Sequence, residues 1–188
     1  MDALVPAFLA ALLAEIGDKT QFLAILLAAR FVRPGPVLAG IACAAVANSL
    51  IAAIGGALIA GMIPFRAFNL LLALALLFAG GGALLPQKQP DVGIYDKAGI
   101  FAASLIAFFI LELGDKTQFL TFAFAARSQT PLLAGAGAAA GIIVASVPAV
   151  VMGAALPATL PLRRIRIGVG ILFVLVGVVV GLTALRLV

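Results

Sequence analysis

The chain has 188 residues, of which 65% are hydrophobic and only 10% are charged, and its formal net charge is +5. Soluble domains are about 45–50% apolar and about 25% charged, so this composition excludes an ordinary soluble globule. The basic residues are scattered and form no run interleaved with aromatic residues, which argues against a nucleic-acid partner.

Apolar runs recur along the chain, and each is long enough to cross about 30 Å of hydrocarbon as a helix. The runs do not alternate apolar and polar residues, which argues against the strands of a membrane β-barrel. The first run follows Asp2 instead of a basic segment and is too long for a signal peptide, so we predict that it spans the membrane. The predicted fold class is an all-α polytopic membrane protein with six transmembrane helices, at about 4–29, 36–61, 66–86, 98–126, 131–156 and 162–187.

A polar heptapeptide interrupts the first predicted helix. It runs from Glu15 to Gln21 and reads Glu-Ile-Gly-Asp-Lys-Thr-Gln. The fourth predicted helix carries the same pattern 97 residues later, from Glu112 to Gln118. Two acidic residues in each motif account for four of the seven in the whole chain. Because ionisable groups are costly at membrane depth, the motifs indicate a functional site made from two halves.

The two halves of the chain match at this same offset beyond the motifs. The matched pairs include Arg30 and Arg127, Pro34 and Pro131, Gly40 and Gly137, Ser49 and Ser146, and Pro64 and Pro161. We therefore predict a first three-helix repeat at 1–86, a cytoplasmic linker at 87–97 and a second three-helix repeat at 98–188. Because three is odd, the second repeat enters the membrane from the opposite side, which makes an inverted repeat with its site at the midplane.

Loop charge predicts the orientation. The segments after the first, third and fifth predicted helices carry most of the basic residues, namely Arg30, Arg33, Lys88, Lys97, Arg163, Arg164 and Arg166. The opposite side carries Arg66, Arg127 and Arg186. The positive-inside rule places the first set in the cytoplasm, so both termini are expected outside it, with the protein in the cell (inner) membrane.

The spacing within each motif indicates a cation site. Glu15 and Asp18 are three residues apart and are expected on one helix face, as are Glu112 and Asp115. Histidine is absent and Cys43 is the only cysteine, so a bound metal must use oxygen ligands, as hard cations such as Mn²⁺ and Ca²⁺ do. The predicted ligands are Glu15, Asp18, Glu112, Asp115, Gln21 and Gln118.

Charge balance suggests how such a site exchanges ions. Without a cation the carboxylates repel one another, so some of them are expected to hold protons. Lys19 and Lys116 bring the ionised cluster to a net charge of about −2, which one divalent cation or two protons would neutralise. The expected exchange is therefore two protons for one cation.

Other polar or small residues are predicted to support the site, namely Lys19, Thr20, Lys116, Thr117, Asn48, Ser49, Ser146, Gly17 and Gly114. The two glycines either break the helix and aim carbonyl groups at the ion or allow close helix approach. Asn48, Ser49 and Ser146 either support the ligands or make ordinary interhelical hydrogen bonds. The lysines belong to the site or extend toward an interface, and ion pairs across the two motifs would be the purely structural interpretation of the charges.

The paired Glu-Xaa-Gly-Asp-Lys-Thr motifs, on the first and fourth of six predicted helices, resemble those of the Gdt-type calcium/manganese–proton antiporters of the lysine-exporter superfamily. The resemblance covers nearly the whole chain. It implies export of Mn²⁺ or Ca²⁺ driven by protons, with Glu15, Asp18, Glu112 and Asp115 in the cation site. It implies no enzymatic activity and no cofactor, the metal being the transported substrate, and it leaves the preferred cation open.

Two alternatives remain at the level of sequence. An intramembrane lipid-phosphate hydrolase would need arginines near the site, whereas the arginines here lie at predicted helix ends. An exporter of cationic amino acids fits an acidic site, but four carboxylates exceed what one ammonium group needs. The expected partners are a divalent cation, protons and the lipid bilayer, and the oligomeric state stays open, a homo-oligomer included.

Overall fold

The computed structural model describes residues 3–87, 90, 99–153 and 155–186, and within these residues all regular secondary structure is helical. The helices are α1 (Leu4–Glu15), α2 (Lys19–Phe31), α3 (Pro34–Ala60), α4 (Phe65–Leu84), α5 (Ile100–Glu112), α6 (Lys116–Arg127), α7 (Pro131–Met152), α8 (Ala155–Thr159) and α9 (Leu162–Leu185). The predicted all-helical class is confirmed. The predicted linker at 87–97 lies almost wholly outside the described residues.

Four helices are long and apolar enough to cross a membrane, namely α3, α4, α7 and α9. α1 and α5 are apolar but only 12 and 13 residues long. Large apolar side chains such as Ile171, Leu175 and Val179 are exposed along α9. A long helix with such a surface is suited to lipid as its solvent, so the chain is a multi-pass membrane protein.

The first and fourth predicted helices are each divided in two, which corrects the prediction of continuous helices there. α1 ends at Glu15, the backbone is extended at Ile16, and Gly17 has a φ of +73°. α5 ends at Glu112 in the same way, and Gly114 has a φ of +75°. Because a positive φ is strained for residues with a side chain, glycine between the two acids permits the break. Of the two roles considered for these glycines, helix breaking is observed at both positions, and close helix approach is observed at Gly17 as well.

Helix order in the second half follows that of the first. α2, α3 and α4 begin at residues 19, 34 and 65, and α6, α7 and α9 begin at residues 116, 131 and 162, each 97 residues later. Prolines occupy the first turns of α3 and α7, where the missing N–H group costs no helical hydrogen bond. The repeat in the sequence therefore extends to the helix boundaries, with α8 as an additional short helix.

Small residues bring the helices that carry the motifs into backbone contact with their neighbours. A Cβ atom on Gly141 of α7 would lie 2.5 Å from the Phe8 carbonyl oxygen of α1, and one on Gly40 of α3 would lie 2.6 Å from the Phe101 carbonyl oxygen of α5. A Cβ atom on Gly137 would lie closer still to the Leu4 carbonyl oxygen of α1. These close contacts between small residues and the opposite backbone fix the depth at which each motif sits against the opposite half.

Candidate cation site

Both motifs lie at helix breaks, and the breaks face each other inside the protein. Glu15 and Glu112 are the last residues of α1 and α5, and Asp18 and Asp115 immediately precede α2 and α6. The last carbonyl groups of a helix have no partner within the helix and carry partial negative charge. Here the carbonyl groups of Glu15 and Glu112 accept hydrogen bonds from the backbone N–H groups of Asp18 and Asp115. The partial negative charge at the ends of α1 and α5 still favours a cation beside the two glutamates.

Three carboxylates from the two motifs converge on one point. Among the described residues, Glu15, Glu112 and Asp115 each offer an oxygen atom, and these atoms all lie within 4.8 Å of one another. The two glutamates are each only 1% exposed. The structure therefore brings together three of the four predicted acidic ligands, taken from both halves of the chain, in a buried position.

Asp18 is not part of this group, and the expectation that it shares a helix face with Glu15 is wrong. The three-residue spacing holds only on a continuous helix, and the positive φ of Gly17 redirects the chain between the two acids. The same correction applies to Glu112 and Asp115, where Gly114 breaks the helix.

Ion pairs connect each motif to the other. Lys116 Nζ lies 2.6 Å from Asp18 Oδ2, and Lys19 Nζ lies 2.8 Å from Asp115 Oδ1. Lys116 Nζ also lies 3.5 Å from Asp115 Oδ2. The lysines are thus members of the polar cluster rather than groups that extend to an interface. Each lysine thus pairs with an aspartate of the other motif. Among the described residues, neither Glu15 nor Glu112 has a lysine within ion-pair distance.

The threonines of both motifs donate hydrogen bonds to the same glutamate. Thr20 Oγ1 donates to Glu15 Oε2, and Thr117 Oγ1 donates to Glu15 Oε1 across 2.5 Å. Glu112 occupies the equivalent position in the second motif, yet neither of its buried oxygens has a hydrogen-bond partner among the described residues. A buried carboxylate without a partner is unfavourable, so Glu112 is the member of the cluster with the greatest need of a proton or a cation.

The motif glutamines stabilise the breaks. Gln21 Oε1 accepts a hydrogen bond from the Gly17 backbone N–H at 2.8 Å, and Gln118 Oε1 accepts one from Gly114 at 2.7 Å. Gln21 also donates through Nε2 to the Ala145 carbonyl oxygen of α7. The oxygen atoms predicted as cation ligands therefore hold the backbone of their own motif, although each retains a second lone pair.

The polar residues predicted on the second and fifth spans divide into two groups. Asn48 donates through Nδ2 to the Phe109 carbonyl oxygen near the end of α5, and its Oδ1 is buried with no partner in the described chain. Ser49 Oγ is likewise buried and unpartnered there. Ser146 donates to Ile142 of its own helix at 2.9 Å. Asn48 thus has a direct contact with the segment that presents Glu112, whereas the hydrogen bond of Ser146 is local.

Access to the two breaks is unequal. Gly17 is buried beneath the start of α9, where an added Cβ would lie 2.7 Å from the Leu162 carbonyl oxygen and 3.1 Å from Arg166 Cβ. Gly114 is exposed, with nothing within 4 Å of the equivalent position. An apolar cavity of about 620 Å³ between α3, α4 and α6 reaches Gln118. Gly17 also lines a smaller cavity near the start of α9. A cavity therefore reaches each motif, but the glycine of the first motif is tightly packed and that of the second is not.

Sequence reasoning missed one charged residue beside this cluster. Arg166 is counted above among the basic residues on the cytoplasmic side, near the start of the sixth predicted helix, but the structure shows it only 7% exposed. Its neighbours Arg163 and Arg164 are exposed, and no pattern in the sequence separates the three. Only the contact of α9 with Gly17 reveals the difference.

Fold and site together define a class: a polytopic helical membrane protein whose buried polar cluster is built from two copies of one acidic motif. The family model described as "Divalent cation/proton antiporter GDT1" matches residues 3–91 and 100–187. The chain belongs to this family, as the resemblance of its motifs implied. The two matched ranges correspond to the two halves of the helical arrangement.

Individual relatives agree with this assignment. The chain is 38% identical over 155 residues to a Vibrio cholerae serotype O1 protein named "Putative manganese exporter", an alignment that covers 82% of this chain and 78% of the relative. It is 32% identical over 181 residues to "GDT1-like protein 1, chloroplastic" of Oryza sativa subsp. indica, covering 80% of this chain and 53% of the rice protein. The chain thus spans about half the length of the rice relative. No solved structure matches the chain.

Proposed function

We propose that this divalent cation/proton antiporter moves Mn²⁺, with Ca²⁺ as the next candidate, through one site shared by its two motifs. The observation that carries the proposal is the convergence of Glu15, Glu112 and Asp115 within 4.8 Å. Mg²⁺ and Ca²⁺ bind oxygen ligands at about 2.0–2.6 Å, so oxygens on opposite sides of such an ion are about 4–5 Å apart. The cluster therefore has dimensions that suit one hard divalent cation. The name of the Vibrio relative favours Mn²⁺.

The ion pairs support an exchange of two protons for one cation. Each motif aspartate has a lysine partner, so the charges of Asp18 and Asp115 are compensated when Lys19 and Lys116 are protonated. The two glutamates then hold the uncompensated charge of about −2. One divalent cation or two protons would neutralise it equally. This ratio predicts transport without net charge movement, which current recordings on supported membranes would measure.

We further propose six membrane spans arranged as two inverted repeats. In this arrangement α1 with α2, and α5 with α6, form two broken spans, and α3, α4, α7 and α9 form the other four. Transporters with inverted repeats place substrate sites at broken helices near the midplane, where the helix ends contribute to binding. The two repeats correspond to residues 1–86 and 98–188. Loop charge favours a cytoplasmic location for the segment between them, with the protein itself in the inner membrane. A reporter enzyme that is active only outside the cytoplasm should then be active when it is fused to either terminus.

Transport by the purified protein tests the function. Proteoliposomes containing a Mn²⁺-sensitive dye and bearing a pH gradient should show proton-driven Mn²⁺ movement with the unmodified chain. Glu112→Gln keeps the shape of the side chain but removes its charge, and it should abolish this movement. Asp91→Asn is the matched control, since it removes an acid outside both motifs.

Three outcomes would count against the proposal. Unchanged Mn²⁺ flux in Glu112→Gln would remove the site assignment. Gradient-driven movement of lysine or arginine without Mn²⁺ movement would favour an exporter of cationic amino acids. Release of phosphate from a lipid phosphate would favour the hydrolase.

A further inference from the structure

A second cavity lies where α4 ends and α9 begins. Its volume is about 300 Å³. Its lining includes Gly17 of the first motif, Phe22 from α2, Leu84 at the end of α4, Gln87 just beyond that helix, and Arg163 and Arg166 from α9. None of the acidic residues predicted as cation ligands is among the residues that line it. The cavity therefore has basic and apolar walls and differs in character from the cation site.

Arg166 supplies the buried charge of this cavity. Arg166 is only 7% exposed, and its Nε and Nη1 atoms have no hydrogen-bond partner among the described residues. The ion pairs of the described motif aspartates are with Lys19 and Lys116, not with Arg166. A guanidinium group is always charged in proteins, so burying it without a partner is strongly unfavourable. An occupant that accepts hydrogen bonds from both nitrogens would remove this cost.

The start of α9 adds to the need for an anion. Arg163, Arg164 and Arg166 lie within its first five residues, and its first turn contains no acidic residue. A helix N-terminus carries partial positive charge, so cations there are disfavoured. Arg163 and Arg166 are three residues apart on one face and repel each other. An anion in the cavity would interact favourably with both arginines and with the helix end.

We propose that this cavity binds a phosphate group, held by Arg166 and Arg163. Gln87 Nε2 donates one N–H to the Gly82 carbonyl oxygen, and its second N–H is a further donor to the phosphate. The planar guanidinium group matches two phosphate oxygens at once, which distinguishes arginine from lysine in such sites. The phosphate belongs either to the headgroup of an anionic phospholipid or to a dissolved phosphate ion. Phe22 and Leu84 on the same walls offer apolar contacts that the glycerol and acyl portions of a lipid would use.

Native mass spectrometry of the full chain in a neutral detergent tests the proposal. Phosphatidylglycerol should bind the unmodified chain about tenfold more tightly than Arg166→Gln, because charge-assisted hydrogen bonds are lost. Diacylglycerol, which lacks the phosphate, should bind both equally weakly. Competition by inorganic phosphate would assign the site to a dissolved anion, and phosphatidylglycerol binding that phosphate does not displace would assign it to a lipid. Equal binding of phosphatidylglycerol by the unmodified chain and Arg166→Gln would overturn the site.

Two neighbouring arginines provide matched variants. Arg164→Gln removes the same charge from the same turn, but Arg164 is exposed and does not line the cavity, so the affinity should change by less than about twofold. Arg163→Gln alters an exposed lining residue and should weaken binding by about threefold or more, even if Arg166→Gln does not fold. Equal losses of phosphatidylglycerol affinity in Arg163→Gln and Arg164→Gln would show a general attraction to surface charge and would refute specific binding in the cavity. Glu112→Gln should leave phosphatidylglycerol binding intact, which separates this site from cation transport.

Discussion

Lys116 places its Nζ atom 2.6 Å from Asp18 Oδ2, so a lysine of the second motif neutralises an aspartate of the first. Both side chains are buried, at 6% and 1% exposure. The reciprocal pair of Lys19 and Asp115 is more open, at 28% and 13%. Two sequence-identical ion pairs therefore lie in different surroundings, and this difference can be measured.

Loss of Lys116 should destabilise the protein far more than loss of Lys19. Lys116→Met leaves Asp18 buried without a cation, and the free energy of unfolding should fall by about 3–5 kcal/mol. Lys19→Met removes a partly exposed pair, and Asp115 retains Lys116 at 3.5 Å, so the decrease should be about 1 kcal/mol or less. Reversible unfolding in mixed detergent micelles gives the free energy of unfolding of both variants. Equal decreases would contradict the difference in burial.

The two motif glycines should also respond unequally to substitution. Alanine at either position must adopt a positive φ, which costs about 1–2 kcal/mol. Gly17→Ala additionally forces a Cβ to 2.7 Å from the Leu162 carbonyl oxygen, whereas Gly114→Ala meets no atom within 4 Å. We therefore expect a markedly lower melting temperature for Gly17→Ala than for Gly114→Ala in the same detergent. Similar melting temperatures would show that α9 does not close over the first motif.

Four of the six predicted membrane helices, those corresponding to α3, α4, α7 and α9, match the structure closely because their signals are local and redundant. Long apolar segments can be satisfied only as helices in lipid, and Pro34 and Pro131 begin α3 and α7 close to where they were expected. The local sequence does not determine in the same way that the helices break after Glu15 and Glu112. Glycine within an apolar helix is compatible with either a break or close packing, and the neighbouring helices decide between them.

Prediction of the site was limited for a related reason. Repetition of the motif indicated that the two halves meet, and the structure does bring Glu15 and Glu112 together. Which lysine pairs with which aspartate depends on the arrangement of the halves, which spacing along one helix cannot give. The preference of Thr20 and Thr117 for Glu15 is even less accessible, because two identical motifs contain no information about which of them the hydroxyl groups favour.

The hydroxyl group of Thr117 should contribute to stability through Glu15. Thr117→Val keeps the side-chain shape but removes the donor to Glu15 Oε1, which should lower the free energy of unfolding by about 1–3 kcal/mol. Thr121→Val is the matched control on the same helix, because its hydroxyl donates only to the Thr117 carbonyl oxygen. The control should lose less than about 1 kcal/mol. A larger loss in Thr121→Val than in Thr117→Val would contradict the assigned hydrogen bond.

Mn²⁺ should stabilise the folded protein in a manner that depends on pH. A ligand at a hundred times its Kd stabilises by about 2.7 kcal/mol, and we expect this increase for the unmodified chain at neutral pH. Protons compete for the same carboxylates, so the increase should diminish as the pH falls and Mn²⁺ affinity should rise with pH. Thermal unfolding with and without Mn²⁺ across pH 5–8 provides the measurement. Stabilisation that is independent of pH, or that persists in Glu112→Gln, would argue against competition at this cluster.

The number of Mn²⁺ ions bound per chain tests most directly whether the two motifs form a single site. Equilibrium dialysis, with bound Mn²⁺ counted by electron paramagnetic resonance, should give one ion per unmodified chain. Either substitution alone, Glu15→Gln or Glu112→Gln, should abolish that binding, because the proposed site takes oxygen atoms from both glutamates. Two ions per unmodified chain, or one ion retained in either variant, would show that each half binds cations independently.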